Sequence, residues 1–216
     1  MTLMRIIHVS DTHGTFPKLP EGDALIVHSG DMLPNQTRGN PEIEPQYQKN
    51  WLMRNAKRFR EWLAGRPMLF CRGNHDFSPL VQTILRDRGC DVADATNRLR
   101  EHGGLRFYGF PYINYMCGEW NFEATEAELS DRIDRLPWGK IDVLVAHAPI
   151  AGILDECYGD HIGLGAMASA LTWGWSRSMW PKAYLHGHAH EANGLNSLDG
   201  MLVSNAATVV WDLEIK

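Results

Sequence analysis

The chain has 216 residues, of which 44% are hydrophobic and 22% are charged, and its formal net charge is −5. This composition is typical of a globular protein and excludes a disordered or fibrous chain, while the negative charge gives no general attraction to nucleic acid or acidic lipid. No apolar run reaches the roughly 20 residues that span a bilayer, and the first residues carry no signal-peptide pattern. We therefore expect a cytoplasmic protein with a single domain over residues 1–216 and no membrane partner.

Apolar periodicity and turn residues predict short strands that alternate with helices. In chain order, the predicted elements are a strand at 4–9, a strand at 24–28, a helix at 44–63, a strand at 67–71, a helix at 79–88, a strand at 105–110, a helix at 123–136 and strands at 141–146, 183–185, 201–203 and 208–213. Asn121 is the predicted cap of the third helix. The last two strands are predicted to pair as a hairpin joined through residues 204–206.

Five of the predicted strands run directly into polar side chains of the kinds that bind metal. These side chains are Asp11, His13, Asp31, Asn74, His147, His188 and His190. Because ligands gather beyond the carboxyl ends of strands in open α/β sheets, we expect the five turns to converge on one site. The mixture of imidazole nitrogens with carboxylate and amide oxygens suits two divalent ions of Mn²⁺, Fe or Zn²⁺ better than Mg²⁺.

Three other histidines, His8, His28 and His186, lie within or at the end of predicted strands. We expect them to be either buried residues or supporting groups that hydrogen-bond to the ligands, as metal sites require, rather than ligands themselves. Three glycines beside the polar turns, at positions 30, 73 and 187, are predicted to permit tight backbone turns there.

The motifs at these turns resemble those of the calcineurin-like metallophosphoesterase superfamily. They are Asp11-Thr-His13, Gly30-Asp31, Gly73-Asn-His-Asp76, His147 and Gly187-His-Ala-His190, and they occur in the order typical of the family. The residues around them are most similar to the small phosphodiesterase branch, which includes the metallophosphoesterase-domain-containing proteins. The resemblance implies an α/β fold in which two mixed β-sheets pack as a sandwich flanked by helices.

The resemblance also implies roles for single residues. One metal ion would be bound by Asp11, His13, Asp31 and His190, and the second by Asp31, Asn74, His147 and His188. His75 would protonate the leaving oxygen or steady the phosphate, and Asp76 would orient His75. The implied reaction is hydrolysis of a small or nucleotide-like phosphodiester by a hydroxide held between the ions. Mn²⁺ is the expected metal, with Fe, Zn²⁺ or Ni²⁺ as alternatives.

Departures from other branches narrow the expected function. The second motif continues as Met32-Leu33-Pro34-Asn35 and lacks the second Asp and the Arg of the GDxVDRG motif found in protein Ser/Thr phosphatases, which disfavours that activity. A small nuclease acting on nucleic-acid ends stays open, although nucleic acid is not the favoured substrate. A non-catalytic binding scaffold is less expected, because scaffolds of this fold lose ligands that this chain keeps. His161, in a loop at 148–164 that resembles a family loop, is either a substrate contact or an exposed residue.

Overall fold

The computed structural model describes residues 3–174 and 176–216. The strands are β1 (Met4–Val9), β2 (Leu25–His28), β3 (Met68–Phe70), β4 (Val92–Asp94), β5 (Leu99–His102), β6 (Leu105–Phe110), β7 (Ile113–Asn114), β8 (Glu123–Ala124), β9 (Val143–Ala146), β10 (Glu156–Cys157), β11 (Asp160–His161), β12 (Ala183–His186), β13 (Gly194–Leu198), β14 (Met201–Asn205) and β15 (Val210–Ile215). The helices are α1 (Glu44–Leu63), α2 (Val81–Arg86), α3 (Glu126–Asp134) and α4 (Gly165–Ser169). Shorter helical turns lie at Ala170–Gly174, Arg177–Met179 and His190–Ala192.

Most of these strands belong to two large mixed sheets. The first has the order β15-β1-β2-β3-β4 and the second the order β13-β14-β12-β9-β6-β5. In the first sheet β1 to β4 are parallel to one another, and in the second β6, β9, β12 and β14 are parallel. The carboxyl ends of β1, β2 and β3 therefore lie along one edge of the first sheet, and those of β9 and β12 along one edge of the second.

The buried side chains form one core between the sheets and one on the outer face of each. Ile6 packs with Val143 in the core between the sheets. The next residue, Ile7, points to the opposite face, where it packs in one cluster with Leu52 of α1. Leu144 of the second sheet shares a cluster with Leu129 of α3. Strands buried on both faces become continuous apolar runs, which is why they were visible in the sequence. The expected sandwich of two mixed sheets flanked by helices is confirmed.

The helix α1 has the predicted bounds, because its apolar residues recur at helical spacing. Its buried stripe includes Leu52, Ala56, Phe59 and Leu63. It ends at Ala64, whose backbone is left-handed with φ of 51° and whose N–H donates to carbonyls of the last turn.

The predicted hairpin between the last two strands is wrong. β14 pairs with β12 and β13 in the second sheet, whereas β15 pairs with β1 in the first sheet. Between them Ala206 and Ala207 are fully buried, and their small side chains allow the chain to cross from one sheet to the other. Each strand thereby pairs with a strand distant in sequence, which a pattern of local turns does not predict.

The predicted start of the third helix is also wrong. The helix α3 begins after Thr125, not after Asn121, because Thr125 and Glu128 form a capping box in which each side chain accepts the backbone N–H of the other residue. Glu123 and Ala124, placed inside the predicted helix, form the short strand β8 instead. Asn121 points elsewhere and donates from its side-chain amide to the carbonyl of Asp76.

Among the described residues, no helix combines the length and apolar character needed to cross a bilayer.

Candidate metal centre

The loops that follow β1, β2, β3, β9 and β12 meet where the two sheets pack together. The N–H of Asp11 donates to the carbonyl of Gly30 at 2.9 Å, and the N–H of His13 donates to that of Asp31 at 3.0 Å, so the first two loops are tied together. In the second sheet the N–H of Gly187 donates to the carbonyl of His147 at 3.1 Å. These backbone bonds hold the polar side chains at the shared edge.

Asp31 lies at the middle of the resulting cluster. Its Oδ2 is 3.4 Å from Nε2 of His147, 3.9 Å from Nε2 of His13 and 3.9 Å from Nε2 of His75. Its Oδ1 accepts the backbone N–H of His75 at 2.8 Å. Three imidazole nitrogens from three different loops thus face one buried carboxylate oxygen.

The remaining predicted ligands surround this carboxylate. Asp11 is buried, and its Oδ1 lies 3.1 Å from Nε2 of His190. Oδ1 of Asn74 lies 2.8 Å from Nε2 of His147. The His188 ring packs beside that of His147, with centroids 5.0 Å apart.

Among the described His, Cys, Asp and Glu residues, ligand atoms within 4.8 Å of one another occur in three groups. The groups are Asp11 with His13 and His190, His13 with Asp31 and His75, and Asp11 with Asp31 and His147. His188 lies outside these groups, and its ring packs beside that of His147. The structure therefore brings all seven predicted ligands to one place, together with His75.

The charges in the cluster suit metal binding. Burial disfavours the Asp31 carboxylate, but the charges of His147 and His75 prevail and lower its pKa well below the usual range. Burial likewise opposes ionisation of Asp11, and the hydrogen bond from His190 is among the effects that nonetheless lower its pKa to about 2. Burial lowers the pKa of His188 to about 3. Ionised carboxylates and a neutral imidazole are the forms that ligate metal.

His147 differs, because it is positively charged when no metal is bound. Burial favours its neutral form, but the charge of Asp31 and the hydrogen bond to it raise the pKa of His147 to about 9. A bound cation would take the place of that proton.

In the described part of the chain, the rings of His13 and His188 make no hydrogen bond to another protein group. Ring nitrogens without a protein hydrogen-bond partner are available to a metal ion, and Nε2 of His13 lies 3.9 Å from the carboxylate of Asp31.

Four of the predicted ligands have a left-handed backbone, in which φ is 54° at Asp11, 42° at His13, 56° at Asp31 and 68° at His188. This conformation costs a residue other than glycine about 1–2 kcal/mol. Such strain persists only where surrounding contacts impose it, and it clusters at functional sites. Here hydrogen bonds between the loops impose it, so the ligands are held in place by the fold itself.

The three predicted glycines leave no room for a side chain. A methyl group on Gly30 would overlap the ring of His147, one on Gly73 would overlap Asp31, and one on Gly187 would overlap Asp11. The close approach of backbone to ligand, rather than a turn alone, is what requires glycine at these positions.

We predict that Gly187→Ala lowers the affinity for Mn²⁺ by about 10–100-fold, because the added methyl group displaces the carboxylate of Asp11. Titration calorimetry with Mn²⁺ measures this change. Gly194→Ala is the matched control, since the methyl group there would only touch Leu154 at an ordinary 3.4 Å. Equal affinity in the two variants would contradict the prediction.

Asp76 does not make the contact expected of it. Its buried carboxylate accepts the backbone N–H groups of Met32, Leu33 and Gly73, at 3.2, 2.9 and 3.0 Å. Burial and the nearby charge of Asp31 raise the pKa of Asp76 to about 6. Asp76 thus joins the second and third loops rather than orienting the ring of His75.

Asn35 contacts the His75 ring instead. Its side-chain amide donates to the carbonyl of His75 at 3.2 Å, which turns its Oδ1 toward Nδ1 of the ring at 2.6 Å. Because that oxygen only accepts, Nδ1 carries a proton and Nε2 faces Asp31. Burial lowers the pKa of His75, in opposition to the charge of Asp31. The sequence pattern offered no signal for Asn35, which lies on an irregular loop.

Gln48 is a second supporting residue, and it was not predicted from the sequence. It lies on the buried stripe of α1, where its amide donates to the carbonyl of His75 at 2.6 Å and accepts the N–H groups of Phe77 and Ser78. A polar residue on the apolar face of a helix was the available signal, because a buried amide requires partners.

The expectation that His8, His28 and His186 are buried is confirmed. His8 lies between Ser29 and Ser204, 2.9 Å from each hydroxyl, and thus links the two sheets. His28 contacts the hydroxyl of Thr12, between two predicted ligands, at 3.0 Å.

His161, which was expected to be either a substrate contact or an exposed residue, lies on β11 and is mostly exposed. Its Nδ1 lies 2.9 Å from Oδ1 of the buried Asp155.

The chain is similar in sequence to several known proteins. Metallophosphoesterase domain-containing protein 1 of Homo sapiens is 26% identical over 221 residues, covering 88% of this chain and 62% of its own length. UPF0046 protein C25E10.12 of Caenorhabditis elegans is 26% identical over 226 residues, covering 94% of this chain and 75% of its own. Probable rhamnogalacturonate lyase C of Emericella nidulans is 28% identical over 217 residues, covering 98% of this chain.

The chain spans only 19% of that fungal relative, so the relatives contain further sequence that this chain does not match. The sequence model of the calcineurin-like phosphoesterase family matches residues 4–192, a range that holds every loop of the metal centre. The chain therefore belongs to the calcineurin-like phosphoesterase family.

Proposed function

We propose that this protein is a metal-dependent phosphodiesterase that hydrolyses a small or nucleotide-like phosphate ester. Membership of the family supports metal-dependent phosphoester hydrolysis. The observation that carries the proposal is the convergence of His13, His75 and His147 on Oδ2 of Asp31. His13 and His147 belong to different donor sets and both face this oxygen, which fits two ions that share the carboxylate.

The donor sets follow from these positions. Asp11, His13, Asp31 and His190 would hold one ion, and Asp31, Asn74, His147 and His188 the other. Bound together, two such ions supply an activated water near neutral pH and offset the charge that develops on the phosphoryl oxygens. Mn²⁺ is the metal we propose, because the donors mix nitrogen with oxygen and include no thiolate.

The chain itself supplies the proton for the leaving oxygen. Burial lowers the pKa of His75, which makes its charged imidazole a stronger acid. In that form Asn35 keeps one proton on Nδ1, so the second proton is at Nε2, the atom that faces the cluster. From there it can pass to a leaving oxygen placed beside Asp31. Asp76 and Gln48 fix the backbone of the same turn, so the ring has a defined distance from the ligands.

A diester is favoured over a monoester on grounds of charge. Within the described residues, no Lys or Arg forms an ion pair or hydrogen bond with a predicted ligand. A monoester carries a second negative charge near neutral pH, which a nearby cation would offset. Residues 32–35, which follow Asp31, include no Lys or Arg. A singly charged diester requires no such cation.

We predict that removal of metal abolishes this activity. Protein stripped with a chelator should lose hydrolysis of bis-p-nitrophenyl phosphate by about 10³-fold or more, because bound ions contribute several kcal/mol to transition-state stabilisation. Added Mn²⁺ should restore the rate more fully than Mg²⁺. Activity that survives complete removal, verified by metal analysis, would overturn the proposal.

A panel of substrates separates the proposed activity from its alternatives. We expect cyclic or linear nucleotide diesters to be cleaved faster than p-nitrophenyl phosphate and faster than a single-stranded oligonucleotide. Preferred cleavage of oligonucleotide ends would identify a small nuclease instead. Metal binding without hydrolysis of any ester would indicate the scaffold alternative.

A further inference from the structure

Residues 115–122 form a loop that is folded around one carboxylate. Oε2 of Glu123 accepts the backbone N–H groups of Met116, Cys117 and Gly118 at 2.9, 3.0 and 2.7 Å, and Oε1 accepts that of Trp120 at 3.0 Å. Four backbone donors on one side chain give this surface loop a defined shape, although Met116 is 60% exposed.

The same loop binds the turn that carries His75. The N–H of Asn121 donates to the carbonyl of Asn74 at 3.2 Å, and its side-chain amide donates to that of Asp76 at 2.9 Å. These two bonds lie on either side of His75 in the chain. The loop is thereby fixed relative to the backbone on both sides of the predicted acid.

Trp120 is the side chain that this arrangement places on His75. The centroids of the two rings are 4.1 Å apart and their planes are inclined by 35°. The indole also packs against Gly39, where a methyl group would approach Cε3 of Trp120 to 2.8 Å and where φ is 88°. The space that Trp120 occupies therefore depends on a glycine in a second loop.

We propose that Trp120 is a positioning residue for His75, holding the imidazole in the orientation that points Nε2 at the site. The inference rests on the proposed function, in which His75 protonates the leaving oxygen. Asn35 binds one edge of the ring, and the indole covers its face, so the ring cannot turn into another rotamer without displacing Trp120. Neither residue touches the reacting atoms. Both act through His75.

The test uses two aryl esters of one nucleoside 5′-phosphate, with p-nitrophenol and phenol as leaving groups. A proton donor matters most for the poorer leaving group, phenol. We expect Trp120→Ala to lower kcat for the phenyl ester by about tenfold and for the p-nitrophenyl ester by less than about threefold, with KM and metal content unchanged. Trp120→Phe should restore most of the loss, because a planar ring still covers the imidazole.

Met116→Ala is the matched control, since it changes an exposed side chain of the same loop. It should behave as the wild type with both esters. An equal loss on the two esters, or a loss of metal, would assign Trp120 a merely structural role and overturn the inference. Wild-type behaviour of Trp120→Ala would overturn it as well.

A second readout needs no activity. In metal-free protein labelled with ¹⁵N-histidine, His75 should give the signal of a single tautomer protonated at Nδ1, and Trp120→Ala should broaden or divide that signal. An unchanged signal would contradict the inference even if no substrate were known. The acid role of His75 and the positioning role of Trp120 can fail separately. If His75→Ala lowers kcat for both esters equally, the acid role is wrong. The ¹⁵N spectrum of the metal-free protein still decides whether Trp120 positions the ring.

Discussion

Replacing Asp31 with asparagine is expected to lower phosphodiester hydrolysis by about 10³-fold or more and to leave at most one ion bound per chain. The carboxylate faces three imidazoles, at 3.4 Å from His147 and 3.9 Å from both His13 and His75, and is the only predicted ligand shared by both donor sets. Asparagine keeps the shape of the side chain but removes the negative charge that both ions require. Metal content and kcat, measured on the same preparation, check the prediction.

Asp142→Asn is the control for this variant. Asp142 precedes β9, at the end of the strand remote from His147, and pairs with Arg106 at 2.8 Å. It should keep both ions and the full rate, with a small loss of thermal stability as its ion pair is weakened. Two ions and a near-normal rate in Asp31→Asn would refute the proposed shared carboxylate.

Replacing His75 with alanine is expected to lower kcat by about 10²–10⁴-fold, the usual contribution of a general acid, while both ions stay bound. The retention of both ions is the decisive part of this expectation. Nε2 of His75 and Nε2 of His13 are both 3.9 Å from Oδ2 of Asp31, so distance alone allows either to be a ligand. The acid role predicts that only the loss of His13 empties a metal position.

His13→Ala is therefore the matched variant, and it should lose metal together with activity. Metal analysis of both proteins, alongside rates on esters with good and poor leaving groups, distinguishes an acid from a ligand. If His75→Ala loses an ion and His13→Ala does not, the roles of the two histidines must be exchanged.

Which residues form the cluster was predictable because the signal is local. A strand buried on both faces is a short apolar run, and the first polar residues after it lie at its carboxyl end. Asp11, Asp31 and His147 all follow such runs and meet at the shared edge of the sheets. The buried stripe of α1 was predictable for a similar reason, since helical spacing recurs within one segment of chain.

Local sequence patterns did not predict the contacts that depend on which of several distant segments pack together. The predicted hairpin failed because β15 gains more by pairing with all of β1 than by turning back on β14. Asn121 was expected to cap a helix, but the capping box of Thr125 and Glu128 satisfied that helix end, and the loop became free to bind the turn around His75.

The amino-acid sequence by itself determined which donor residues form the candidate metal centre, because the type of each donor and its position after a buried strand are properties of a single segment. The tertiary structure alone decided which groups support that chemistry. Asn35 and Trp120 lie 40 and 45 positions from His75 in the chain, and their contacts with it exist only because separate loops pack at one edge of the sandwich. Contacts between distant segments depend on packing and on which backbone groups remain unpaired. Neither of these leaves a periodic pattern of residues in the sequence.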